Sequence, residues 1–396
     1  MENDKIVKIH GYYGVNNLGD DYILYALLNQ IRNNSNNIIV QIDSLSGYKG
    51  LNYILEEFPE LTFQVIDLSV KRKLTERIKL MYKNDIYIFG GGGLFPADNV
   101  NEYLLLMIKM ILYKVIGIKT AILGIDLCII NKKISKFIWK KIIRNTKYVC
   151  MRNKYSYNLL RDIFNSSNLL YASDLTFSFL TRFEIHDNLL KEYEVKKGIY
   201  NKNYIIWVVA NPWNEFEMKE KHFQDRYNLL KKQIISLYEK YSGNEHLNIF
   251  VPFFGKRDME FINDLINNVK IKPIICYEYE NIAIKRALFK HANACISMRF
   301  HGIAFSLFHG IPVAAISYSP KISELMKENN LENYYCEYGI RTSETFFEEF
   351  DLDYDKFEII CEKVVNSEDK KIFEECSYRL KNLSKKYNNI IKDILN

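Results

Sequence analysis

Short apolar runs rich in β-branched residues recur at Lys5 to His10, Asp85 to Phe89, Lys119 to Leu123, Lys147 to Met151 and Leu169 to Ala172. Each has the length and composition of a strand buried on both faces, as a parallel sheet requires. Between them apolar residues fall at helical spacing over Tyr22 to Ile31, Tyr103 to Ile116, Ile134 to Ile143 and Tyr155 to Ile163. From Arg182 to Asn203 the chain turns polar and charged, and the pattern then restarts with strands at Tyr204 to Ala210, Leu247 to Phe253, Lys272 to Cys276, Ala294 to Met298 and Pro312 to Tyr318. Alternation of this kind predicts an α/β fold of two Rossmann-like doubly wound domains facing across a cleft. The N-terminal domain is expected over 1–181, a linker over 182–203, the C-terminal domain over 204–345, and closing helices that pack across both over 346–396. Ligands of such sheets bind at the carboxyl ends of the strands, so chemistry is expected on the strand-to-helix turns.

Composition narrows the classes. A chain of 396 residues exceeds one ordinary core, and 48% hydrophobic with 26% charged residues excludes wholesale disorder. The net charge of +6 suits anionic substrates or contact with an anionic membrane surface, and does not suggest a nucleic-acid binder. Seven scattered cysteines (Cys128, Cys150, Cys276, Cys295, Cys336, Cys361, Cys376) form no C-x-x-C pair, so buried free thiols in a reducing cytosol are expected, and no metal. The opening Met-Glu-Asn-Asp-Lys-Ile has no signal-peptide pattern; the expected place is the cytoplasm, with the inner face of the membrane for any peripheral contact. The most apolar stretch, Leu104 to Ile130, is broken by Lys109, Lys114, Lys119 and Asp126. It falls short of the roughly 20 uncharged residues of a membrane span and reads as helix, turn and buried strand.

Five turns carry candidate chemistry. His10 to Asp21, after the first strand, holds Asn16, which suits a sugar hydroxyl, and Asp20, which suits its proton; capping of the following helix by Asn17, Asp20 or Asp21 is the plain alternative. Gly90 to Gly93 follow the strand Asp85 to Phe89, and four glycines in a row mark a sharp turn or a ligand touching backbone. Arg152 stands at the end of the strand Lys147 to Met151, where its planar fork can take a carboxylate or phosphate, or form an inter-domain salt bridge. Arg299, Phe300, His301 and Gly302 combine fixed charge, a titratable ring and a helix start, a set suited to a dianionic phosphate. Lys321 follows Pro320 at the next helix start and can complete the anion site or stand solvated. Neither a G-x-G-x-x-G nor a P-loop spacing occurs in the glycine turns.

In this order the turns resemble the polysaccharide pyruvyl transferase family, whose pattern is N-x-G-D, G-G-G, R-D-x-x-S, D-P-x-F, R-[LF]-H-[AG], G-x-P and Y-x-x-K. The matches are Asn17-Leu18-Gly19-Asp20, Gly91-Gly92-Gly93, Arg152 with Ser156, Asp174 with Phe177, Arg299-Phe300-His301-Gly302, Gly310-Ile311-Pro312, and Tyr318 with Lys321. They span about Gly11 to Asn330. Asn153 departs from the usual Asp, and Leu175-Thr176 from the Pro-containing pair.

The resemblance implies a GT-B-like architecture and transfer of the pyruvyl group of phosphoenolpyruvate to sugar hydroxyls, as a ketal, in the making of a cell-surface or exopolysaccharide such as a capsule. It further implies that Arg152, Arg299, Phe300, His301, Gly302 and Lys321 hold the donor, with His301, Asp20 and Arg299 catalytic. Asn16, Asn17, Gly19, Asp20, Gly91, Gly92 and Gly93 would then serve the saccharide acceptor, free or lipid-linked. Phosphoenolpyruvate is a co-substrate, and no cofactor is expected. Two rivals stand beside this expectation: a GT-B glycosyltransferase using a nucleotide sugar, and a non-catalytic carbohydrate-binding or assembly protein of the same pathway.

Overall fold

The computed structural model describes residues 5–34, 38–70, 76, 84–95, 98–127, 130–178, 183–213, 215–243, 245–277, 282–341, 346–348 and 351–396. Its chain divides into two units, one of residues 1–180 with 380–396 and the other of residues 181–379.

The first unit is built on a seven-stranded parallel sheet, ordered β3-β2-β1-β4-β5-β6-β7. Its strands are β1 (Lys5–His10), β2 (Ile38–Ser44), β3 (Thr62–Asp67), β4 (Ile86–Phe95), β5 (Lys119–Leu127), β6 (Tyr148–Met151) and β7 (Leu169–Tyr171). Apolar residues meet across the central strands, Val7 against Val40 and Ile86, Ile9 against Ile42 and Ile88. Helices α1 (Leu18–Asn34), α2 (Asn52–Leu55), α3 (Val100–Val115), α4 (Lys133–Asn145) and α5 (Lys154–Ile163) complete the crossovers. Under α3 and α4 the core holds Phe95, Tyr103 and Trp139 edge to face, with ring centroids 5.4 to 5.7 Å apart.

The second unit repeats the plan. Strands β8 (Tyr204–Val208), β9 (Leu247–Phe250), β10 (Ile274–Ile275), β11 (Ala294–Ser297), β12 (Val313–Ser317) and β13 (Tyr335–Glu337) form a parallel sheet ordered β10-β9-β8-β11-β12-β13. A short antiparallel pair, β14 (Ile340–Arg341) and β15 (Phe346–Glu348), stands apart from it. Helices α6 (Phe183–Lys197), α7 (Lys221–Lys240), α8 (Gly255–Ile266), α9 (Ile282–His291), α10 (Phe300–His309) and α11 (Pro320–Glu328) accompany the sheet. Helix α10 ends at Gly310, whose φ of 69° is the left-handed conformation that stops a helix, and Pro312 then leads into β12. Helices α12 (Tyr354–Val365) and α13 (Lys370–Leu395) close the chain, and the division between units falls within α13, after Arg379.

The structure differs from three of these expectations. The stretch expected as a linker over 182–203 contains helix α6, because Leu190 and Tyr193 give its charged surface a buried side. Strands β2 and β3 were not anticipated, since polar Gln41, Asp43 and Ser44 interrupt the apolar pattern although all three are buried. The glycine run is no turn: β4 continues through Gly90 to Phe95 and pairs with β5, Gly90 opposite Leu123 and Gly92 opposite Ile125. The boundary at 345–346 lies beside residues 342–345, which are outside the described residues, as is Cys128. The other six cysteines are buried free thiols. Among the described residues no helix is long and apolar enough to cross a membrane.

Candidate functional site

Relative to its own first strand, each sheet runs outward in one direction through its second and third strands and in the other through its fourth. The strand order therefore reverses between β1 and β4 in the first unit, and between β8 and β11 in the second. Crevices at such points, outside the carboxyl ends of the strands, are where doubly wound sheets take ligands. The turns singled out in the sequence lie at these ends.

In the first unit α1 starts directly behind the glycine strand. Gly91 and Gly92 have φ of 78° and 86°, and a methyl group on them would come within 2.1 Å of Ile23 and 2.4 Å of the Asp20 carboxylate. Only glycine lets β4 and the start of α1 approach so closely. Tyr13 fixes the same strand by donating to the Gly90 carbonyl at 2.8 Å. Asn17 donates its amide to the Asp20 carboxylate, and Asp20 is 9% exposed. Asn16 is exposed with a left-handed φ of 57°, and Gly19 is buried. Asp21 serves the frame: it is fully buried, and accepts from the Gly14 amide at 3.1 Å and from the Tyr53 hydroxyl.

Behind Gly93, the exposed glycine of the run, lies Arg152. Its Nε donates to Asp126 at 2.9 Å, a second guanidinium nitrogen donates to the same oxygen, and Nη1 donates to Asp174 at 3.0 Å. The side chains of Arg152, Asp126 and Asp174 are 2%, 6% and 1% exposed. Burial works against the guanidinium's charge, but the two carboxylates outweigh it and raise its pKa. A cation enclosed by two carboxylates offers an anion no net attraction, which speaks against Arg152 as a holder of the donor. The salt bridges of Arg152 lie within the first unit and are not the inter-domain bridge expected as the alternative. Nearby motif residues have structural partners as well. Asn153 caps α5 by accepting from the Ser156 amide at 2.7 Å, a task Asp performs equally, and the Ser156 hydroxyl bonds both amide and carbonyl of Leu127. Asp174 also accepts from the Thr176 amide at 2.8 Å.

A second polar group lies on one face of the same sheet. His10, at the end of β1, contacts Asp43 at 2.6 Å and stacks on Phe89, with Lys8 3.1 Å from the same carboxylate. Lys109 of α3 donates to Tyr87 at 2.7 Å, and burial pushes its pKa down to about 8.

In the second unit β11 delivers Arg299 to the start of α10. The Ser297 hydroxyl ties the turn by accepting from the Arg299 amide at 3.2 Å and donating to its carbonyl at 2.9 Å. Gly302 is required by packing, since a methyl group there would lie 2.5 Å from the Ser297 hydroxyl. Arg299 Nε donates to Asp258 at 3.3 Å, Nη2 donates to the other oxygen of that carboxylate, and Nη1 donates to the Tyr318 hydroxyl at 3.1 Å. Asp258 is itself fixed, fully buried in the first turn of α8, and accepts from the amides of Phe253 and Phe254 at 3.0 and 2.8 Å. Three of the five N–H donors of a guanidinium are thus engaged and two remain among the described residues. The side chain is 20% exposed. Burial opposes its charge, while Asp258 and Tyr318 prevail and raise its pKa. Phe300 is buried, His301 is half-buried with its ring edge-on to Phe300 at 5.1 Å, and Lys321 is exposed in the first turn of α11.

Asp126 and Asp258 were missed in the sequence, where Asp126 served only as a break in an apolar run. No local pattern marks either, because each meets its arginine across 26 and 41 residues of chain. Among the described residues no group of three or more His, Cys, Asp or Glu side chains could hold a metal ion.

Comparison with known proteins bears on this arrangement. A family model described as polysaccharide pyruvyl transferase matches residues 17–320. No curated protein sequence matches the chain. Among solved structures, UDP-GlcNAc 2-epimerase from Neisseria meningitidis bound to UDP-GlcNAc is similar over 99% of both chains, at 12% identity and a TM-score of 0.59. S. aureus MnaA in its UDP co-structure is similar over 100% of this chain and 97% of its own, at 12% identity and a TM-score of 0.60. HepE from Anabaena in complex with UDP is similar over 99% of both chains, at 11% identity and a TM-score of 0.56. At these identities the likeness concerns the fold, a GT-B-like pair of parallel sheets with alternating helices.

Proposed function

Because the chain belongs to the polysaccharide pyruvyl transferase family, we propose that it moves the pyruvyl group of phosphoenolpyruvate onto sugar hydroxyls as a ketal, in the synthesis of a cell-surface polysaccharide. One observation carries the choice of donor: the Arg299 guanidinium, oriented by Asp258 and Tyr318, keeps two N–H donors beside the N-terminus of α10. A planar fork and a helix N-terminus together suit phosphate or carboxylate, and phosphoenolpyruvate has both.

The chemistry needs few groups. A proton added to the methylene carbon makes C2 oxocarbenium-like, a sugar hydroxyl adds to C2 and gives up its proton, and the bond from C2 to the phosphate oxygen breaks. A second hydroxyl then closes the ketal and also loses its proton. In this proposal Arg299, Phe300, Gly302 and Lys321 bind the donor, and His301 moves the proton on the donor side. Asp20 takes the proton of the acceptor hydroxyl, with Asn16, Asn17, Gly19 and Gly91 to Gly93 serving the sugar. Phosphoenolpyruvate acts as co-substrate and no cofactor takes part.

Incubation with phosphoenolpyruvate, nucleotide sugars and lipid-linked oligosaccharides, read by mass spectrometry, tests the proposal. A pyruvyl mass gain on the acceptor is expected. A hexose gain would instead support a glycosyltransferase, and no gain with any pair would favour a binding protein. Near wild-type turnover in His301→Ala or Asp20→Ala would remove that residue from its assigned role.

A further inference from the structure

The outer face of α3 is apolar where a surface helix is usually polar. At 3.6 residues per turn, Leu104, Leu105, Ile108, Leu112 and Val115 share an arc of roughly 100° and a length of about 17 Å. They are 39%, 69%, 45%, 47% and 78% exposed. The opposite arc carries Tyr103, Leu106, Met110 and Tyr113, all buried in the core. Core packing thus accounts for one side of the helix and leaves the other uncovered. Contiguous exposed apolar surface of this kind marks an interaction site.

Helix α4 adds charge of one sign. It packs beside α3, where the Lys114 ammonium donates to the Arg144 carbonyl at 2.9 Å. Its sequence holds Lys133, Lys136, Lys140, Lys141 and Arg144 and no acidic residue. Ile134 and Phe137 stand 50% and 53% exposed among these cations, with Lys141 5.4 Å over the Phe137 ring. From Val100 to Lys147 the acids are Glu102 and Asp126, and Asp126 is buried on Arg152.

We propose that the outer faces of α3 and α4 dock on an anionic lipid bilayer, the aliphatic stripe at the acyl boundary and the lysines among the head groups. Apolar side chains bordered by lysine and arginine are the pattern of interfacial helices, and the basic residues supply the attraction to anionic lipid. A second copy of this chain fits poorly, since pairing these faces would bring the cations of α4 against their own kind. Docking of this kind requires no turnover and is independent of the donor.

Co-sedimentation of the full chain with vesicles tests it, using phosphatidylcholine alone and phosphatidylcholine mixed with phosphatidylglycerol. Binding to the mixed vesicles is expected to be at least about tenfold tighter than to neutral ones, and to fall as salt is raised. The triple substitution Leu105→Gln, Ile108→Gln, Leu112→Gln and the triple substitution Lys133→Glu, Lys136→Glu, Lys140→Glu should each weaken binding by about tenfold or more. Phe216→Gln, at a position 78% exposed in the second unit, should leave it unchanged. Should a triple variant melt early, Leu105→Gln alone is the readout. Equal binding to neutral and anionic vesicles, no binding at low salt, or unchanged binding in the variants would overturn the proposal. So would a wild-type dimer that the stripe variant dissolves, with no vesicle binding, because the face would then be a protein interface.

Discussion

Arg152 and Arg299 carry the same local signal and have different surroundings. Each follows a short buried parallel strand, β6 or β11, and each pairs with an aspartate from elsewhere in the chain. Arg152 meets two carboxylates and its side chain is 2% exposed; Arg299 meets one carboxylate and a phenol and is 20% exposed. The first guanidinium is held by two buried carboxylates and sealed, whereas the second is held by one and stays partly open to solvent. An arginine at a strand end is therefore open to an anion only where its surroundings leave it accessible and do not outnumber its charge with carboxylates.

The largest effect expected is on stability, in Arg152→Met. Removing the cation leaves Asp126 and Asp174 buried without it, and breaking such a pair costs about 3–5 kcal/mol. Thermal unfolding should show a large drop in Tm; a variant that melts like wild type but fails to bind phosphoenolpyruvate would reverse the comparison. Next comes Arg299→Lys, which keeps the charge and loses the fork. Pyruvyl transfer should fall by about a hundred- to a thousandfold in kcat/KM, on the scale of losing one preorganised donor at a reacting group. Steady-state rates with phosphoenolpyruvate check this, and a modest loss would mean that point charge suffices.

A smaller change is expected for Asp258→Asn. The amide oxygen can still accept from Phe253 and Phe254, but it no longer attracts the guanidinium, so KM for phosphoenolpyruvate should rise about tenfold with a lesser change in kcat. An unchanged KM would show that Tyr318 and Phe254 orient Arg299 unaided. The smallest effect belongs to Asn153→Asp, which restores the residue usual in the family. Both side chains cap α5, and the helix dipole favours the charge by about 0.3–1 kcal/mol at most, so Tm should barely move. A change in turnover there would give this corner a role in chemistry that its hydrogen bonds do not indicate.

Much of the fold was legible in the sequence because parallel strands buried on both faces are written as local apolar runs. β1, β5, β8 and β11 start where those runs start. β2 was not, since its buried Asp43 is explained by Lys8 and His10 on a different strand. The positions of the candidate site could be read from turn residues, and the environment of each could not. The glycine run looked like a turn because nothing in its own sequence announces Ile23 and Asp20 pressing on it from α1. Arg152 and Arg299 looked alike for the same reason: the deciding acids are distant in sequence.

The Asp258 clamp also has a calorimetric consequence. An arginine side chain carries on the order of 2 kcal/mol of rotamer freedom, which a ligand must usually suppress when it binds. Arg299 is already immobilised by Asp258 and Tyr318, so folding has borne that loss. Anion binding to wild type should then show a smaller entropic penalty than binding to Asp258→Asn, in which the same arginine is ordered only when the ligand arrives.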